Sequence, residues 1–270
     1  MTSPQGTGPR ADTTAGARAK ADPAASADRE TDAGARAGRA LADYPQPSVT
    51  VDVVLLTVDE QNELRVLLAR RSVEPFRGAW AIPGSFVHLH ESLDDTARRL
   101  LRTKAALEDV FTEQLYTFGA PGRDPRGRVI TVAYYALVEV GRLRRAVAAL
   151  GDESLRLARV MADDDGVRVA EAGPIGDLAS IPLAFDHAAI LAASIERIRG
   201  KLRYADIGFE LLPAVFTLSE LRRVHEAIAG RPINKDSFRR TALAGGHVVT
   251  TGERRTDTSH RPPELYRFQR

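Results

Sequence analysis

The sequence predicts an α/β sandwich, in which a mixed sheet is flanked by helices, followed by a winged helix-turn-helix domain. Two observations support this fold class. Segments rich in β-branched and apolar residues alternate with amphipathic helical segments through the middle of the chain. Beyond residue 200, a short helix, a turn with glycine, a basic helix and a hairpin follow one another. We therefore predict a disordered tail at residues 1–47, the sandwich at residues 48–200 and the winged helix at residues 201–270.

The composition narrows the classes of protein to which the chain can belong. At 270 residues it is long enough for two domains. It contains no cysteine, which excludes disulfides and thiolate metal sites. The N-terminus lacks the apolar core of a signal peptide, and no apolar run approaches the length of a membrane span. We expect a cytoplasmic protein with no membrane partner.

Charged and apolar residues are unevenly distributed along the chain. Residues 1–47 hold six basic and six acidic side chains but almost no large aliphatic residue. They cannot bury enough surface to offset the entropy of ordering, so we expect disorder there. Residues 200–270 hold 13 basic and 8 acidic side chains, whereas the rest of the chain has a small acidic excess. This asymmetry favours an anionic partner at the C-terminal end.

The predicted elements of the sandwich follow from apolar patterning and turn residues. Residues 48–59 form a strand, and residues 60–63 turn it back with Asn62 as the turn residue. The remaining predicted strands cover residues 64–71, 111–118, 129–140 and 167–170. Residues 181–203 predict a long helix that starts near Phe185 and ends or bends at Gly200. Its first turn contains His187, for which packing at the helix entry is favoured over a metal site because no second ligand lies at a suitable spacing.

The most informative stretch is residues 83–107, PGSFVHLHESLDDTARRLLRTKAAL, which has the pattern of a strand, a turn, a loop and a helix. We predict a tight turn in which Gly84 adopts a positive φ. Ser92 is a good N-cap residue, and Asp94 and Asp95 place negative charge in the first turn, where the helix dipole favours it. The helix has an apolar stripe made of Leu93, Ala97, Leu100, Leu101 and Ala105.

This stretch resembles the Nudix box, whose pattern is G-x5-E-x7-R-E-U-x-E-E-x-G-U with U a bulky aliphatic residue. Glu91, Arg99 and Leu107 match the pattern, while Ser85 stands in place of its first glycine. The preceding segments LLARR (67–71) and GAWAIPG (78–84) resemble the strand and loop that lead into the box. The resemblance implies a Nudix-like sandwich. It also implies a short connection at residues 141–165, although their Arg, Ala and Leu content favours a helix.

The box lacks the residues that its chemistry requires. Nudix hydrolases hold Mg²⁺ or Mn²⁺ with glutamates on one helix face, since hard cations need oxygen ligands. Those positions are Leu100, Thr103 and Lys104 here, and the last glycine of the box is Ala106. We therefore predict no catalytic residue, no metal site and no enzymatic activity. The alternative is a Nudix diphosphate hydrolase acting on compounds related to ADP-ribose.

Five residues are candidates for binding a ligand in the sandwich. Arg70 and Arg71 end a strand near the loop that reaches the box, where arginine can bind a diphosphate bidentately or simply form a surface pair. The others are Trp80 in that loop and the retained box residues Glu91 and Arg99. For Glu91 and Arg99, the resemblance favours a structural role that ties the loop to the helix.

The C-terminal segment has the signals of a winged helix. Thr217 and Glu220 form a capping box before an apolar run, and residues 230–232 (GRP) end that helix. Asn234 is the N-cap of a second, basic helix. Strands at residues 247–251 and 265–268 enclose a loop with Arg261 and two further arginines. The second helix and the hairpin of such a domain contact DNA, which predicts these contacts: Lys235, Ser237, Arg239, Arg240, Arg254 and Arg255. A helical cap on the first domain is the alternative.

The whole arrangement resembles the Nudix-related transcriptional regulators of NAD metabolism. The segments that carry the resemblance are LAFDHAAIL, KLRYADIGFELLPAVFTLSELRRVHEAI, GRPINKDSFRR and ELYRF. The resemblance implies a homodimeric repressor that binds a palindromic DNA operator. It also implies a small-molecule effector, ADP-ribose or a related nucleotide diphosphate sugar, and no other cofactor. A protein-interaction module on an inactive Nudix scaffold is a further alternative, which leaves the basic winged helix unexplained.

Overall fold

The computed structural model describes residues 40–163, 166–172, 178–202, 207–256 and 262–269. The chain divides into two compact units, Met1–Gln46 and Pro47–Arg270. In the first unit, residues Leu41–Asp43 form a 3-10 turn. The predicted boundary at residue 200 lies inside the second unit, so that division stays a prediction.

The second unit contains the predicted strands and helices, together with several elements that were not predicted. Its strands are β1 Ser48–Val58, β2 Leu64–Arg70, β3 Trp80–Ala81, β4 Gly84–Phe86, β5 Phe111–Phe118, β6 Val129–Leu137, β7 Leu155–Asp163, β8 Gly166–Ala172, β9 Leu178–Ser180, β10 Val248–Arg254 and β11 Glu264–Phe268. Its helices are α1 Leu93–Ala105, α2 Val140–Leu150, α3 His187–Lys201, α4 Leu218–Ala229 and α5 Lys235–Ala244. A 3-10 turn at Gly208–Leu211 precedes α4. Within the described ranges, no helix has the length and apolar character needed to cross a membrane.

The first nine strands form one mixed sheet, as predicted. Its order is β5-β6-β1-β2-β7-β8-β9, with β3 beside β2 and β4 beside β1. β1 runs parallel to β6, from Ser48 opposite Val129 to Leu56 opposite Leu137, and the other pairs in the sheet are antiparallel. Because both faces of the sheet are covered at β1, residues 51–58 are all buried.

The side chains of β1 pack into two separate cores, because successive side chains of a strand point to opposite faces of the sheet. Val51, Val53 and Leu55 belong to the core that α1 covers. Val54 and Leu56 belong to the core that α3 covers. Each fully buried aliphatic side chain of this kind contributes roughly 1.5–3 kcal/mol of burial free energy. The alternation therefore places α1 and α3 on opposite faces of the sheet.

The ambiguous segment at residues 141–165 contains both a helix and a strand. The helix α2 confirms the interpretation from its Arg, Ala and Leu content, and the short connection was wrong. Glu139 caps α2, since its carboxylate accepts from the N–H groups of Gly141 and Arg142 at 2.6 and 2.7 Å. The strand β7 was not predicted, and it joins the sheet by pairing with β2. The sequence Asp163-Asp164-Asp165-Gly166 is typical of a turn, and it lies partly outside the described residues.

The C-terminal elements confirm the winged helix-turn-helix prediction. The capping box is formed, because Thr217 Oγ1 accepts from the N–H of Glu220 at 3.2 Å and a Glu220 carboxylate oxygen accepts from the N–H of Thr217 at 2.7 Å. Asn234 caps α5 through its side-chain oxygen. The hairpin of β10 and β11 packs on a small core made of Phe216, Leu221, Val248 and Tyr266.

Arg199 of α3 joins the sandwich to the winged helix. Its Nε donates to the carbonyl of Ile228 at 2.8 Å, and its Nη2 donates to the carbonyl of Ala162 in β7 at 3.0 Å. Ile228 lies in the last turn of α4. In a continuing helix its carbonyl would accept from the N–H of the residue four positions later, but that residue is Pro232, which has no N–H. Arg199 therefore supplies the hydrogen bond that the helix end lacks. α3 continues one residue past Gly200 and ends at Lys201.

Candidate functional site

An open cleft of about 630 Å³ lies where β1, β4 and the start of α3 meet. It is on the α3 side of the sheet, at the end where the apolar residues of β1 give way to Asp52 and Thr50. The loop between β5 and β6 and the loop after β2 complete its walls. The lining residues are Thr50, Asp52, Arg71, Val73, Ile82, Gly84, Ser85, Phe86, Arg123, Asp124, Arg126, Val129, Phe185 and His187.

Two arginines make the mouth of the cleft positive. Arg71 donates from Nε to the carbonyl of Pro75 at 2.7 Å, and its guanidinium lies 4.7 Å from the ring centre of Phe185. Arg126 donates to the carboxylate of Asp124, from Nε at 3.0 Å and from Nη2 at 2.6 Å. Burial and the nearby charge of Arg126 lower the pKa of Arg71. Guanidinium groups held in this way suit a diphosphate, which accepts several hydrogen bonds at once.

The floor of the cleft is a group of ionisable side chains that are largely buried. Arg123 Nε and Nη2 donate to the carboxylate of Asp186 at 2.8 and 2.6 Å, and Nη2 lies 3.7 Å from Asp52 Oδ2. His187 Nδ1 accepts from the N–H of Ile82 at 2.9 Å, and its Nε2 lies 3.9 Å from Asp52 Oδ1. Burial lowers the pKa of His187. The neutral ring therefore carries its proton on Nε2, facing Asp52.

Gly84 is needed for a reason other than the predicted one. The residue begins β4 and does not have a positive φ, so the prediction of a left-handed turn was wrong. Gly84 lies opposite Asp52 in the sheet. A Cβ at this position would be 2.0 Å from Asp52 Oδ1. The missing side chain of Gly84 makes room for the carboxylate of Asp52.

The structure separates the five residues that were predicted to bind a ligand. Arg71 lines the cleft. Arg70 is exposed and donates to the carbonyl of Gly78 at 3.0 Å. Trp80 is half-buried against the α3 core, with the guanidinium of Arg156 4.9 Å from its ring centre. Arg70 and Trp80 therefore lie beside the cleft wall and not in it.

Glu91 and Arg99 form a clamp behind the cleft. Arg99 donates to both carboxylate oxygens of Glu91 at 2.7 Å, and it also donates to Ser85 Oγ and the carbonyl of Phe86 at 3.1 Å. This pairing with Arg99 lowers the pKa of Glu91 to about 2. Because Ser85 and Phe86 line the cleft, the clamp fixes a wall of the site from outside.

The three substituted box positions have different environments on α1. Leu100 is buried in the α1 core, and the hydroxyl of Thr103 donates to the carbonyl of Arg99 at 2.8 Å. Lys104 is exposed. Within the described parts of the chain, no group of three or more His, Asp or Glu side chains is arranged to hold a metal ion.

Sequence reasoning missed most of the cleft. Asp52, Arg123, Arg126 and Phe185 were not among the candidates. One signal was available for Asp52, which interrupts an otherwise apolar strand. The loop GAPGRDPRGR holds Arg123 and Arg126, but only the fold brings it to the start of α3. Phe185 has a φ of 54°, which is uncommon for an aromatic residue and is found most often at functional sites.

The outer side of α5 is the candidate nucleic-acid interface. The helix packs on the winged-helix core through Phe238, Ala242 and Leu243, and none of its residues is buried. Arg239 lies on its flank beside Tyr266, whose pKa is raised by burial and by its hydrogen bond to Glu264. All four predicted contacts on α5 are exposed: Lys235, Ser237, Arg239 and Arg240.

The two wing arginines differ in their contacts. Arg254 is exposed, and its Nη1 donates to the carbonyl of Pro262 at 3.2 Å. Arg255 donates to both carboxylate oxygens of Glu220 at 2.7 and 3.2 Å, which ties the wing to the start of α4. Arg261 lies outside the described residues.

Comparison with known families identifies both parts of the chain. A family model described as the NrtR DNA-binding winged helix domain matches residues 208–268, and a model of the NUDIX domain matches residues 47–162. Among curated proteins, the ADPR responsive transcriptional repressor NtrR of Acinetobacter baylyi is 33% identical over 229 residues, which is 84% of each protein. The ADP-ribose pyrophosphatase of Methanocaldococcus jannaschii is 30% identical over 149 residues, which is 55% of this chain and 73% of that enzyme.

Solved structures extend the similarity across both domains. Shewanella oneidensis NrtR in complex with a 27mer DNA is 35% identical with a TM-score of 0.68, and the match covers 82% of this chain and 93% of that one. A MutT/nudix family protein from Enterococcus faecalis has the same fold, with a TM-score of 0.68 at 24% identity. The winged helix, the Nudix domain and their order along the chain are shared with NrtR. The chain therefore belongs to the NrtR family of Nudix-related transcriptional regulators.

Proposed function

We propose that this protein is a transcriptional repressor that binds DNA through its winged helix and releases it when ADP-ribose, or a related nucleotide diphosphate sugar, occupies the Nudix cleft. The observation that carries the proposal is that one chain joins an arginine-lined cleft to a basic winged helix. The ADPR responsive repressor of Acinetobacter baylyi is similar over 84% of its length, so the same two parts are expected there.

The charges of the cleft support a diphosphate ligand. Arg71 and Arg126 both line the cleft, and their guanidinium groups are suited to donate hydrogen bonds to a diphosphate. Phe86 and Phe185 are apolar ring surfaces on its walls, which suit a base or a sugar face. The clamp of Glu91 and Arg99 acts indirectly, because it holds β4 in place. Arg70 and Trp80 do not line the cleft, so they would affect ligand binding only indirectly, through the position of the neighbouring cleft wall.

The exposed charges of the winged helix support DNA binding. The second helix of a helix-turn-helix lies in the major groove, which places α5 there. Arginine reads guanine bidentately and lysine neutralises phosphate, so Arg239, Arg240 and Lys235 supply both kinds of contact. Arg254 of the wing reaches the backbone. A homodimer on a palindromic operator upstream of genes of NAD synthesis or salvage, in the cytoplasm, completes the proposal.

The route between the two sites runs through α3. His187 begins the helix at the cleft floor, and Arg199 near its end holds β7 and α4. A ligand that moves the start of α3 therefore biases the position of the winged helix. Since the two affinities are reciprocally linked, a ligand that weakens DNA binding must itself bind less well to the DNA complex.

Hydrolysis of a diphosphate is the second candidate, favoured by the similarity to an ADP-ribose pyrophosphatase at 30% identity. Leu100, Thr103 and Lys104 oppose it, because they cannot supply the carboxylate oxygens that Mg²⁺ needs. We propose that the protein is not an enzyme. Hydrolysis of ADP-ribose that requires Mg²⁺ and disappears in Glu91→Gln would contradict this.

The test is a gel-shift titration of the full chain at fixed salt. The DNA fragments are its own upstream region and promoters of NAD-metabolism genes, with and without ADP-ribose. A specific shift that ADP-ribose reverses supports the proposal. A specific shift that ADP-ribose leaves unchanged rejects the effector and keeps the regulator. Absence of any specific shift rejects these operators or the DNA-binding role.

A further inference from the structure

Asp52 on the cleft floor is a buried carboxylate that faces open space. Its side chain is 8% exposed. Within the described residues, the basic side chains beside it are Arg123, with Nη2 at 3.7 Å, and the neutral His187, with Nε2 at 3.9 Å, both beyond hydrogen-bonding distance. A buried carboxylate normally accepts several hydrogen bonds. Asp52 therefore has acceptor capacity directed at whatever occupies the cleft.

The two donors beside Asp52 are held in place by other partners. The N–H of Ile82 fixes the His187 ring and leaves its proton on Nε2. The carboxylate of Asp186 holds Arg123 with two hydrogen bonds. The floor thus presents two acceptor oxygens, and each has one fixed donor at 3.7–3.9 Å.

A hydroxyl oxygen fits each of these gaps. An oxygen on the cleft side of a pair of atoms 3.9 Å apart can lie about 2.8 Å from both, which is a good hydrogen-bond length. A hydroxyl donates one hydrogen bond and accepts others, so it can donate to Asp52 and accept from His187 or Arg123. Two adjacent hydroxyls match the two gaps. A phosphate, which only accepts, would be repelled by the carboxylate.

We infer that Asp52, His187 and Arg123 form a subsite that recognises the vicinal diol of a ribose. A carboxylate paired with ribose hydroxyls is a recurring mode of nucleotide recognition. Two parts of the cleft then bind different groups of the ligand. The arginines at the mouth bind the diphosphate, and the floor binds the diol. This inference rests on the proposed function, because it assigns one part of a nucleotide diphosphate sugar.

Gly84 supports the assignment independently. The position opposite Asp52 has no room for a Cβ, which would lie 2.0 Å from Oδ1. The carboxylate of Asp52 can therefore keep this position only because residue 84 on β4 has no side chain. Gly84→Ala should displace Asp52 and weaken the same contact without changing any charge.

The experiment is calorimetric titration of the full chain with three ligands. These are ADP-ribose, its analogue with a 2′-deoxyadenosine, and ADP, which lacks the distal ribose. We compare wild type with Asp52→Asn, Gly84→Ala and the matched control Asp59→Asn. Asp59 is equally buried, follows directly after the end of β1 and pairs with Arg65, away from the cleft. Operator affinity without ligand reports whether each variant is folded.

We expect Asp52→Asn and Gly84→Ala to weaken ADP-ribose binding about 10- to 100-fold, because a site built to bond a hydroxyl is then left mismatched. If the distal ribose occupies the subsite, the loss should vanish with ADP. If the adenosine ribose occupies it, the loss should shrink with the 2′-deoxyadenosine analogue, which keeps one of the two hydroxyls. Asp59→Asn should match wild type. An equal loss with all three ligands, or no loss, would overturn the inference alone. Wild-type protein that does not bind ADP-ribose would instead overturn the proposed effector, and the inference with it.

Discussion

The Nudix cleft contains a buried histidine and the winged helix a half-buried one, and the two differ in their surroundings. His187 lies beside Asp52, Asp186 and Arg123, and its ring accepts a hydrogen bond from the backbone. His225 of α4 packs edge-on against Phe238, and burial alone lowers its pKa to about 4. The same contrast holds for other charges, since those of the cleft floor are buried and those of α5 are exposed.

The difference indicates what each region is built to do. Buried charges that hold one another in place define a fixed pattern of donors and acceptors, which suits recognition of one small molecule. Exposed arginines and lysines exchange counterions with solvent, which suits a polyanion and makes binding sensitive to salt. Within the described residues, no charged group offsets the burial of the winged-helix histidine, so its protonation should make this domain sensitive to acid.

The largest expected effect is a loss of stability of the winged helix in mild acid. His225 titrates near 6.5 when unfolded and near 4 when folded, so protonation favours the unfolded state. The free energy of unfolding is therefore unaffected by protonation of His225 above pH 6.5. It decreases as the pH falls towards 4, by about 3 kcal/mol at most. Thermal unfolding of wild type and His225→Gln across this range measures it. His90→Gln, at an exposed histidine, should keep the wild-type slope, and an unchanged slope in His225→Gln would contradict the prediction.

The next effect concerns the exposed arginines of α5. Arg239→Ala and Arg240→Ala should each weaken operator binding by about 1–3 kcal/mol if the arginine reads a base. If it contacts a phosphate instead, the slope of log affinity against log salt should fall by about 1. Gel shifts at several salt concentrations separate the two. The control is Arg144→Ala, which removes an exposed charge paired with Glu60 on the sandwich. Unchanged affinity and slope would remove that arginine from the contacts.

Breaking the link between the two regions should have an effect of intermediate size. Arg199→Ala removes the hydrogen bonds that join β7 to α4, while the cleft and α5 remain intact. We expect the protein to bind ADP-ribose and DNA separately but to lose most of their coupling, which is typically about 1–3 kcal/mol. The readout is operator affinity with and without ADP-ribose.

Arg197→Ala is the matched control for that experiment. Arg197 lies two residues earlier on α3. In the described part of the chain, its polar contacts are with β5 of the sandwich, at the carbonyl of Leu115 and the carboxylate of Glu113. Its loss should leave the release by ADP-ribose unchanged. Equal coupling in both variants would show that Arg199 is not part of the route.

The smallest effect compares the helix ends of the two domains. α4 ends at Gly230 with a φ of 70°, whereas α1 ends at Ala106 with a φ of 51°, where a Cβ is unfavourable. Ala106→Gly should therefore stabilise the protein by about 1 kcal/mol. Ala105→Gly, one residue earlier and still helical, should destabilise it by a similar amount. Chemical denaturation measures both, and a destabilising Ala106→Gly would refute the argument.

The structural features that the sequence predicts well are those with short-range causes. The caps at Ser92, Thr217 and Asn234 depend on side chains that bond to backbone groups two or three residues away. The resemblance to the Nudix box identified the clamp of Glu91 and Arg99, because both residues belong to one loop and one helix. These predictions needed no knowledge of the sheet order.

The cleft is made of residues that come together only through the sheet. Asp52, Gly84, Arg123 and His187 are spread over more than 130 residues. The pairing of β1 with β4 sets Asp52 against Gly84, and no local pattern specifies that register. The glycine was correctly singled out for the wrong reason, since a local rule considers its φ and not the side chain opposite it. Long-range packing decides such positions.

The parallel pairing of β1 with β6 has a consequence for synthesis of the protein. Residues 51–58 are eight consecutive buried residues, and their partner strand ends only at Leu137. While the chain leaves the ribosome, one edge of this apolar strand stays unpaired until about 80 further residues have emerged. Contacts so distant along the chain form slowly, and an open apolar edge favours aggregation. Substitutions that weaken β6 should therefore lower the yield of soluble protein before they alter ligand or DNA affinity.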